Sequence, residues 1–302
     1  MIDIHCHILP GVDDGSKNLK MSLNMLKQAE KSGITDIILT PHYIQNSKYN
    51  FNNTAKSKIL DILRTAMAGK GIKVNLHLGN EIFLDMDIVK LLRQDKISPL
   101  GDSKYILIEL PVRTEDASGK DILFGIISCG YTPIIAHPER YIYFQENPEK
   151  IKEYLDMGCL MQGDYQSIHG RYGKSAKKSL TRYLKNDQIQ LLASDIHHDT
   201  TDYRLAETYK KLTKILKSSE KVKLFLEENP RKVLKNQPIS TDISEALAEL
   251  QQTSEQPTTS KQSTTSPKES IATSKKQSKS TKESSSKSPL KSFFSKLTFA
   301  KN

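Results

Sequence analysis

Ile2-Asp-Ile-His-Cys-His7 stands at the start of the chain, and leucines at helical spacing follow it after the polar stretch Asp13-Asp-Gly-Ser16. The β-branched and apolar residues of the first stretch predict a strand over residues 2–6. Ser16 is predicted to cap a helix that buries Leu19, Leu23 and Leu26. A strand followed by an amphipathic helix is therefore the first structural unit.

The same unit is repeated along the chain. Apolar, β-prone runs predict six further strands, at residues 36–40, 73–78, 105–110, 132–136, 159–162 and 188–193, with helical patterns between them. Parallel partners need a long crossover, whereas hairpin partners need only a short turn, so seven such units predict a parallel α/β fold. A closed or nearly closed barrel is the expected arrangement, and a doubly wound open sheet is the alternative. No GxGxxG or GxxxxGK[ST] loop follows any predicted strand, which weakens a nucleotide-binding version of that sheet.

The composition changes near residue 236. Residues 1–236 have the mixture of a globular domain, whereas residues 237–302 are rich in Ser, Thr, Lys and Gln. This tail has too little apolar surface to offset its ordering entropy, so it is predicted to be disordered. Residues 251–302 hold ten lysines and three glutamates and so carry +7 of the formal net charge of +10. Because most of the net positive charge lies in the tail and not in residues 1–250, no nucleic-acid partner is expected.

The end of the tail has a different pattern. Leu290, Phe293, Phe294 and Leu297 lie near helical spacing with lysines between them, in the segment 289–299. One interpretation is an unstructured end. The other is a short basic amphipathic helix that makes weak contact with a membrane surface or a partner protein.

Cysteine use and hydropathy bear on the compartment. The three cysteines form no CxxC pair, and no apolar run approaches the ~18–20 residues of a membrane span. The start of the chain has neither a basic n-region nor an apolar h-region. We expect a cytoplasmic protein, with the inner face of the membrane as the alternative. Both a monomer and a homo-oligomer fit the sequence.

Histidines and carboxylates lie at or shortly after the carboxyl ends of six of the seven predicted strands. The carboxyl ends of parallel strands meet on one face of a barrel, which is where such folds place their active sites. We therefore expect these side chains to converge: His5, His7, His42, Glu81, Glu109, His137, Asp195 and His197.

Imidazole and carboxylate ligands without thiolate are typical of Mn, Zn or Fe sites. Glu81 and Glu109 can each bridge two ions, so we expect two or three ions. Asp13 and Asp14 could supply a further ligand, or they could form a plain turn. Cys6 alternates with its histidine neighbours in an extended strand and is expected to pack in the interior.

Arg140 lies three residues after His137. Its guanidinium has the charge and the planar fork that suit phosphate oxygens. The alternative is a surface ion pair with Glu139. We favour the phosphate contact because of the neighbouring histidine.

These motifs resemble a known superfamily. Five stretches are similar to the motifs of the PHP (polymerase and histidinol phosphatase) superfamily. They are Ile2–Gly15, Thr40-Pro-His42, Gly79-Asn-Glu81, Ala136-His-Pro-Glu-Arg140 and Ala193-Ser-Asp-Ile-His197. The nearest branch comprises bacterial protein-tyrosine phosphatases of capsular and exopolysaccharide synthesis. The resemblance covers about residues 1–236. After Gln162 the pattern leads us to expect a small polar run, but this chain has Gly163-Asp-Tyr165 there. The resemblance does not explain the tail.

The resemblance implies a distorted (β/α)7 barrel of PHP type with a site for three metal ions. One ion would be surrounded by His5, His7, Glu81 and Asp195, a second by Glu81, Glu109 and His137, and a third by Asp14, His42 and His197. It also implies Mn²⁺ as the usual ion, with Zn, Fe, Co or Mg as other choices. The catalytic residues it implies are Arg140, His42 and Asp195.

The implied activity is hydrolysis of phosphotyrosine on a bacterial tyrosine kinase that controls polysaccharide synthesis. A histidinol-phosphatase-like or nuclease-like phosphoesterase is the second hypothesis. A non-catalytic metal-binding scaffold recruited by its tail is the third. The complete set of expected ligands argues against the scaffold, since an inactive site would have lost members.

Overall fold

Every paired strand in the computed structural model, which describes residues 1–254, is parallel to its neighbours. The strands are β1 (Ile2–Cys6), β2 (Asp36–Leu39), β3 (His42–Tyr43), β4 (Asn75–Leu78), β5 (Glu81–Phe83), β6 (Tyr105–Glu109), β7 (Thr132–Ala136), β8 (Leu160–Asp164) and β9 (Leu191–Ala193). One sheet has the order β1-β2-β4, and the other has the order β3-β5-β6-β7-β8-β9.

Helices separate the strands along the chain. The α-helices are α1 (Leu19–Lys31), α2 (Asn53–Ala68), α3 (Ile88–Arg93), α4 (Gly119–Ser128), α5 (Ile142–Glu146), α6 (Ile151–Asp156), α7 (Gly173–Lys185), α8 (Leu205–Leu216), α9 (Ser219–Lys223), α10 (Asn229–Leu234) and α11 (Ile243–Ser254). Short 3₁₀ turns occupy Pro138–Arg140, Pro148–Lys150 and Tyr165–His169, and a π-helical turn occupies Leu224–Glu228.

Two predicted strands each continue into a second short strand. β2 ends at Leu39 and β3 begins at His42, while β4 ends at Leu78 and β5 begins at Glu81. Each pair therefore runs through both sheets. The end of β1 also meets the segment after β9, because the Asp195 amide donates to the His5 carbonyl at 2.9 Å.

The parallel α/β fold expected from the sequence is confirmed. Within each sheet of residues 1–254 the strands follow one another in chain order, without the reversal of strand order that a doubly wound sheet requires. Backbone hydrogen bonds divide the strands into two sheets, so the closed barrel stays a prediction.

The first helix begins at a different residue from the one expected. Asn18 caps α1, and its side-chain oxygen accepts from the Met21 amide at 3.0 Å. Ser16 instead donates its hydroxyl to the Asn18 carbonyl and shares a 2.7 Å hydrogen bond with Ser22. The prediction of Ser16 as the cap was wrong because this serine is buried under the helix start, where it satisfies other polar groups.

The chain has regular structure beyond residue 236, where disorder was expected. Helix α11 lies in that segment, and Ile243 and Ala246 are buried. The phenol of Tyr105 also donates to the Gln237 carbonyl at 2.7 Å. The disorder prediction was wrong for α11. It rested on the polar composition of residues 237–302 as a whole, in which the few apolar residues of α11 are not apparent. The predicted amphipathic segment 289–299 lies outside the described residues, and no helix within residues 1–254 is long and apolar enough to cross a membrane.

Truncation of the chain at residue 236 should lower its stability. A chain that ends there loses the buried surface of Ile243 and Ala246, which is expected to reduce the free energy of unfolding by about 2–4 kcal/mol. Urea denaturation of this chain beside one that ends at residue 254 measures the difference. Equal unfolding midpoints would show that α11 contributes no stability.

Candidate metal centre

A bend at the end of β1 brings two histidines together. The pairing of β1 with β2 shifts register between Asp3 and Cys6, and the Nε2 atoms of His5 and His7 lie 3.3 Å apart. Both imidazoles are buried. Cys6 is directed the other way, with Sγ 3.6 Å from the Ile38 carbonyl oxygen, as expected for a packed side chain.

Gly15 makes this bend possible. The glycine lies against the backbone of His7, and an added Cβ would meet the His7 carbonyl oxygen at 2.2 Å. No side chain fits such a space. The Asp13-Asp-Gly loop can therefore pass close enough to β1 to contact its histidines.

Two buried carboxylates face these imidazoles. Oε2 of Glu81 lies 3.3 Å from the Nε2 atoms of both His5 and His7, and 3.0 Å from Nδ1 of His42. Oδ1 of Asp195 lies 3.2 Å from the same two Nε2 atoms. The two carboxylates thus approach the same two imidazoles, one from the start of β5 and the other from the segment after β9.

The side chains expected at the site fall into three groups, each with nitrogen or oxygen atoms within 4.8 Å of one another. The groups are His5, His7, Glu81 and Asp195; His42, Glu81 and Glu109; and His7, Asp14, His42 and His197. The first matches the expected set. In the second, His42 stands where His137 was expected, although Nε2 of His137 lies 2.9 Å from Oε1 of Glu81 and 3.8 Å from Oε1 of Glu109.

Several buried polar atoms at the centre have no hydrogen-bond partner within residues 1–254. They are Nδ1 of His42, Oε2 of Glu81, Nδ1 of His137 and Oδ1 of Asp195. Buried polar atoms are normally satisfied, and buried charges require a compensating charge. Nitrogen and carboxylate oxygen donors without thiolate are the ligands of borderline and hard divalent cations. The residues present therefore fit a divalent metal cluster.

The electrostatics of the cluster indicate the same demand for positive charge. Burial acts to lower the pKa of His5, but the facing carboxylates of Glu81 and Asp195 outweigh it and raise that pKa well above 6.5. Burial acts to raise the pKa of Glu81, but His5 and His42 hold it well below its usual value. Burial and the like charge of Glu81 raise the pKa of Glu109 to about 7. The carboxylates of Glu81 and Asp195 thus favour a positive charge beside them. His137 does not supply it, since burial lowers its pKa to about 4.

Neighbouring polar groups orient the imidazoles, and the sequence revealed only some of them. Nδ1 of His5 lies 2.7 Å from Oε1 of Gln162, and Nδ1 of His7 lies 2.7 Å from Oδ2 of Asp13. Such contacts fix the ring orientation and direct Nε2 to the centre. Asp13 therefore contacts a histidine instead of joining the three groups. Gln162 thus has a role in orienting His5, whereas the departure from the family pattern lies in the residues after it.

His137 and Asp195 have an unusual backbone conformation. Their φ angles are +32° and +46°, in the left-handed region that residues other than glycine seldom adopt. Such strain is typical of functional sites, where the surrounding structure holds it in place. His137 is the first residue after β7 and Asp195 the second after β9, at the turns that direct their side chains to the centre.

Arg140 borders the cluster. Its Nη1 donates to Oδ2 of Asp195 at 2.6 Å, and its guanidinium carbon lies 4.5 Å from the centre of the Tyr172 ring. The alternative ion pair with Glu139 is not formed. The buried Glu139 carboxylate instead accepts from the Ser167 hydroxyl at 2.7 Å and from the Asp164 amide at 3.1 Å.

A buried lysine supports the turn that carries Glu81. Nζ of Lys56, on α2, donates to the Gly79 carbonyl at 3.1 Å and to Oδ1 of Asn80. The Asn80 amide in turn donates to the Pro41 carbonyl at 3.0 Å, next to His42. Full burial is rare for lysine and requires partners. This network joins the two turns that present Glu81 and His42.

Replacement of Lys56 by Met should destabilise the protein. The methionine keeps the apolar stem but leaves the buried Gly79 carbonyl without its lysine donor, and it removes one of the two donors to Oδ1 of Asn80, which keeps the Ser98 amide at 3.0 Å. This loss is expected to cost about 1–3 kcal/mol of unfolding free energy. Lys58→Met, at an exposed position of the same helix, is the control. Urea denaturation in EDTA measures both. Equal stability of the two variants would contradict the role of the network.

Comparison with known proteins places this site in a family. The model of the family described as "Capsular polysaccharide synthesis, CpsB/CapC" matches residues 1–235. A putative tyrosine-protein phosphatase CapC from Staphylococcus aureus is 32% identical over 251 residues, which cover 80% of this chain and 94% of that protein. Tyrosine-protein phosphatase YwqE from Bacillus subtilis (strain 168) is 33% identical over 240 residues, covering 79% of this chain and 93% of that protein.

A solved structure is similar along the same region. It comes from work on YwqE of Bacillus subtilis and CpsB of Streptococcus pneumoniae, described as unique metal-dependent tyrosine phosphatases. The TM-score is 0.75 at 32% identity, with 80% of this chain and 96% of that chain covered.

The fold and the donor cluster define a parallel α/β protein with a candidate polynuclear metal centre. The chain belongs to the CpsB/CapC family of capsular polysaccharide synthesis. The resemblance drawn from the sequence motifs is thereby confirmed.

Proposed function

We propose that this chain is a metal-dependent protein-tyrosine phosphatase that acts on a phosphorylated bacterial tyrosine kinase of capsular or exopolysaccharide synthesis. The observation that carries the proposal is the convergence of Glu81 and Asp195 on His5 and His7, with Arg140 beside them. The named activity of the relatives supports it.

The proposed metal ligands are those expected from the sequence: His5, His7, Asp14, His42, Glu81, Glu109, His137, Asp195 and His197. Nitrogen and carboxylate oxygen donors suit Mn, Zn or Fe. Manganese, in two or three copies, is the proposed ion because the resemblance to the PHP superfamily implies it. Divalent ions bound there lower the pKa of coordinated water to about 7 and neutralise charge on a phosphoryl group.

The protein groups supply positioning and charge. Arg140 can contact two oxygens of a phosphoryl group with its planar fork, and its present contact with Asp195 holds the guanidinium at the edge of the cluster. Phosphoryl transfer depends mainly on such charge stabilisation and alignment. A tyrosine phenol has a pKa of about 10, so its phenolate leaves without a strong general acid.

Removal of metal should abolish activity. We expect hydrolysis of a phosphotyrosine peptide to stop after EDTA treatment and dialysis, and to return when Mn²⁺ is added. Elemental analysis verifies that the treated protein contains no metal. Phosphatase activity in that metal-free protein would refute the proposal.

Glu81 should control more bound metal than Asp14. Glu81 belongs to two of the three groups, whereas Asp14 belongs to one and is half exposed. Glu81→Gln is therefore expected to lose two ions per chain and Asp14→Asn one, by elemental analysis of purified protein. Equal losses in the two variants would contradict the shared position of Glu81.

Arg140→Ala should slow catalysis while metal stays bound. Loss of one preorganised donor to a reacting phosphoryl group is expected to lower kcat about 10²–10³-fold. Arg182→Ala, at an exposed position near the far end of α7, is the control. Metal content is measured in both variants. An unchanged kcat in Arg140→Ala would remove this residue from the mechanism.

Histidinol-phosphatase-like or nuclease-like activity is the other enzyme hypothesis. Comparison of phosphotyrosine peptide, histidinol phosphate and an oligonucleotide at equal metal concentration separates these activities. A scaffold role would be indicated if polysaccharide production survived both His5→Ala and Arg140→Ala.

A further inference from the structure

A polar cleft of about 630 Å³ opens on the side of the candidate site where β9 ends. Residues from two segments line it. Arg171 comes from the turn before α7, and His198, Thr201 and Arg204 come from the segment between His197 and α8. We call it the arginine cleft. The proposed phosphatase mechanism uses none of these residues.

The two arginines of the cleft are not neutralised. Arg171 donates through Nη1 to the uncharged Thr201 hydroxyl at 3.2 Å. The Arg204 guanidinium makes neither a hydrogen bond nor an ion pair with the part of the chain that the structure describes. Neither guanidinium forms an ion pair with a carboxylate of residues 1–254, although Glu207 is near enough to Arg204 to interact with its charge. Two such guanidiniums beside one cleft attract anions.

The nearby carboxylates are engaged elsewhere. Oδ1 of Asp202 accepts from the Arg204 backbone amide at 3.2 Å. Glu207 forms a 2.7 Å ion pair with Lys211, and Asp199 lies 3.2 Å from Nδ1 of His198. Asp202 also lines the cleft and forms no ion pair with either guanidinium, and two arginines against this one aspartate leave the lining with a net positive charge.

An aromatic ring connects the cleft with the candidate active site. The Tyr172 ring lies 4.5 Å from the guanidinium carbon of Arg140 and 5.9 Å from that of Arg171. One tyrosine thus contacts both the proposed phosphate-binding arginine and an arginine of the cleft. An extended peptide spans roughly 3.3–3.6 Å per residue, so neighbours of a bound phosphotyrosine can reach the cleft.

We propose that the arginine cleft binds a second anionic group of the polypeptide substrate, a few residues from the phosphotyrosine, through Arg171 and Arg204. This inference rests on the proposed phosphatase function. The ligand chemistry is an oxyanion, either the carboxylate of an Asp or Glu side chain or the phosphate of a second phosphorylated residue. The planar fork of arginine suits both.

Three phosphotyrosine peptides of equal length test the proposal. The first has neutral residues around the phosphotyrosine, the second has glutamates there, and the third has a second phosphate in a non-hydrolysable form. Charge-assisted hydrogen bonds to the cleft are expected to make KM about 10-fold lower for one or both anionic peptides than for the neutral one. The peptide with the lower KM identifies the source of the anion.

Arginine variants locate the effect. The ratio of KM values between neutral and anionic peptides should fall close to one in Arg171→Gln and Arg204→Gln. It should be partly restored in Arg171→Lys. Lys70→Gln is the control and should keep the wild-type ratio. Lys70 is exposed and precedes β4, so it lies near the amino ends of the strands, away from the cleft at their carboxyl ends. Thermal unfolding of each variant verifies that it is folded.

The outcomes separate the two proposals. If the wild-type chain hydrolyses none of the peptides, the phosphatase function itself is wrong. If it hydrolyses all three with equal KM, or if the ratio persists in both glutamine variants, the phosphatase proposal stands and the cleft proposal is wrong. A ratio lost only in the arginine variants supports the cleft.

Discussion

Mutual compensation of buried charge is the constraint on which the site depends. Glu81 and Asp195 are almost completely buried, and each has an oxygen atom within about 3.3 Å of the imidazoles of His5 and His7. Either carboxylate alone would cost several kcal/mol to bury. The strand ends must therefore deliver acids and bases to the same point. The backbone accepts strain at His137 and Asp195 to achieve this.

Supporting contacts come from residues far apart in the chain. Gln162 on β8 and Asp13 in the first loop each contact a histidine of β1, and Lys56 of α2 contacts the turn before Glu81. Groups of this kind restrict rotamers and ring orientation. The geometry of the centre thus depends also on side chains that are not themselves among its donors.

Much of this arrangement could be predicted because strand periodicity and strand-end chemistry are local features. The motif His5-Cys-His7 indicated both a strand and its reactive end. The position of His42 relative to Glu109 could not be predicted, since it depends on how β3 and β5 pair after their bends. Helix α11 was missed for a different reason. Its apolar residues are few, and their burial depends on contacts with distant parts of the chain.

The breaks between β2 and β3 and between β4 and β5 place residues of the centre on two different sheets. His5 lies on β1 in the three-stranded sheet, whereas His42 and Glu81 begin strands of the six-stranded sheet. A cation held by both His5 and Glu81 would therefore link the two sheets. Ion binding at the centre and the contact between the two sheets would then be thermodynamically linked. An ion that binds only when the sheets are in contact would stabilise that contact, and a weaker contact would lower the affinity for the ion.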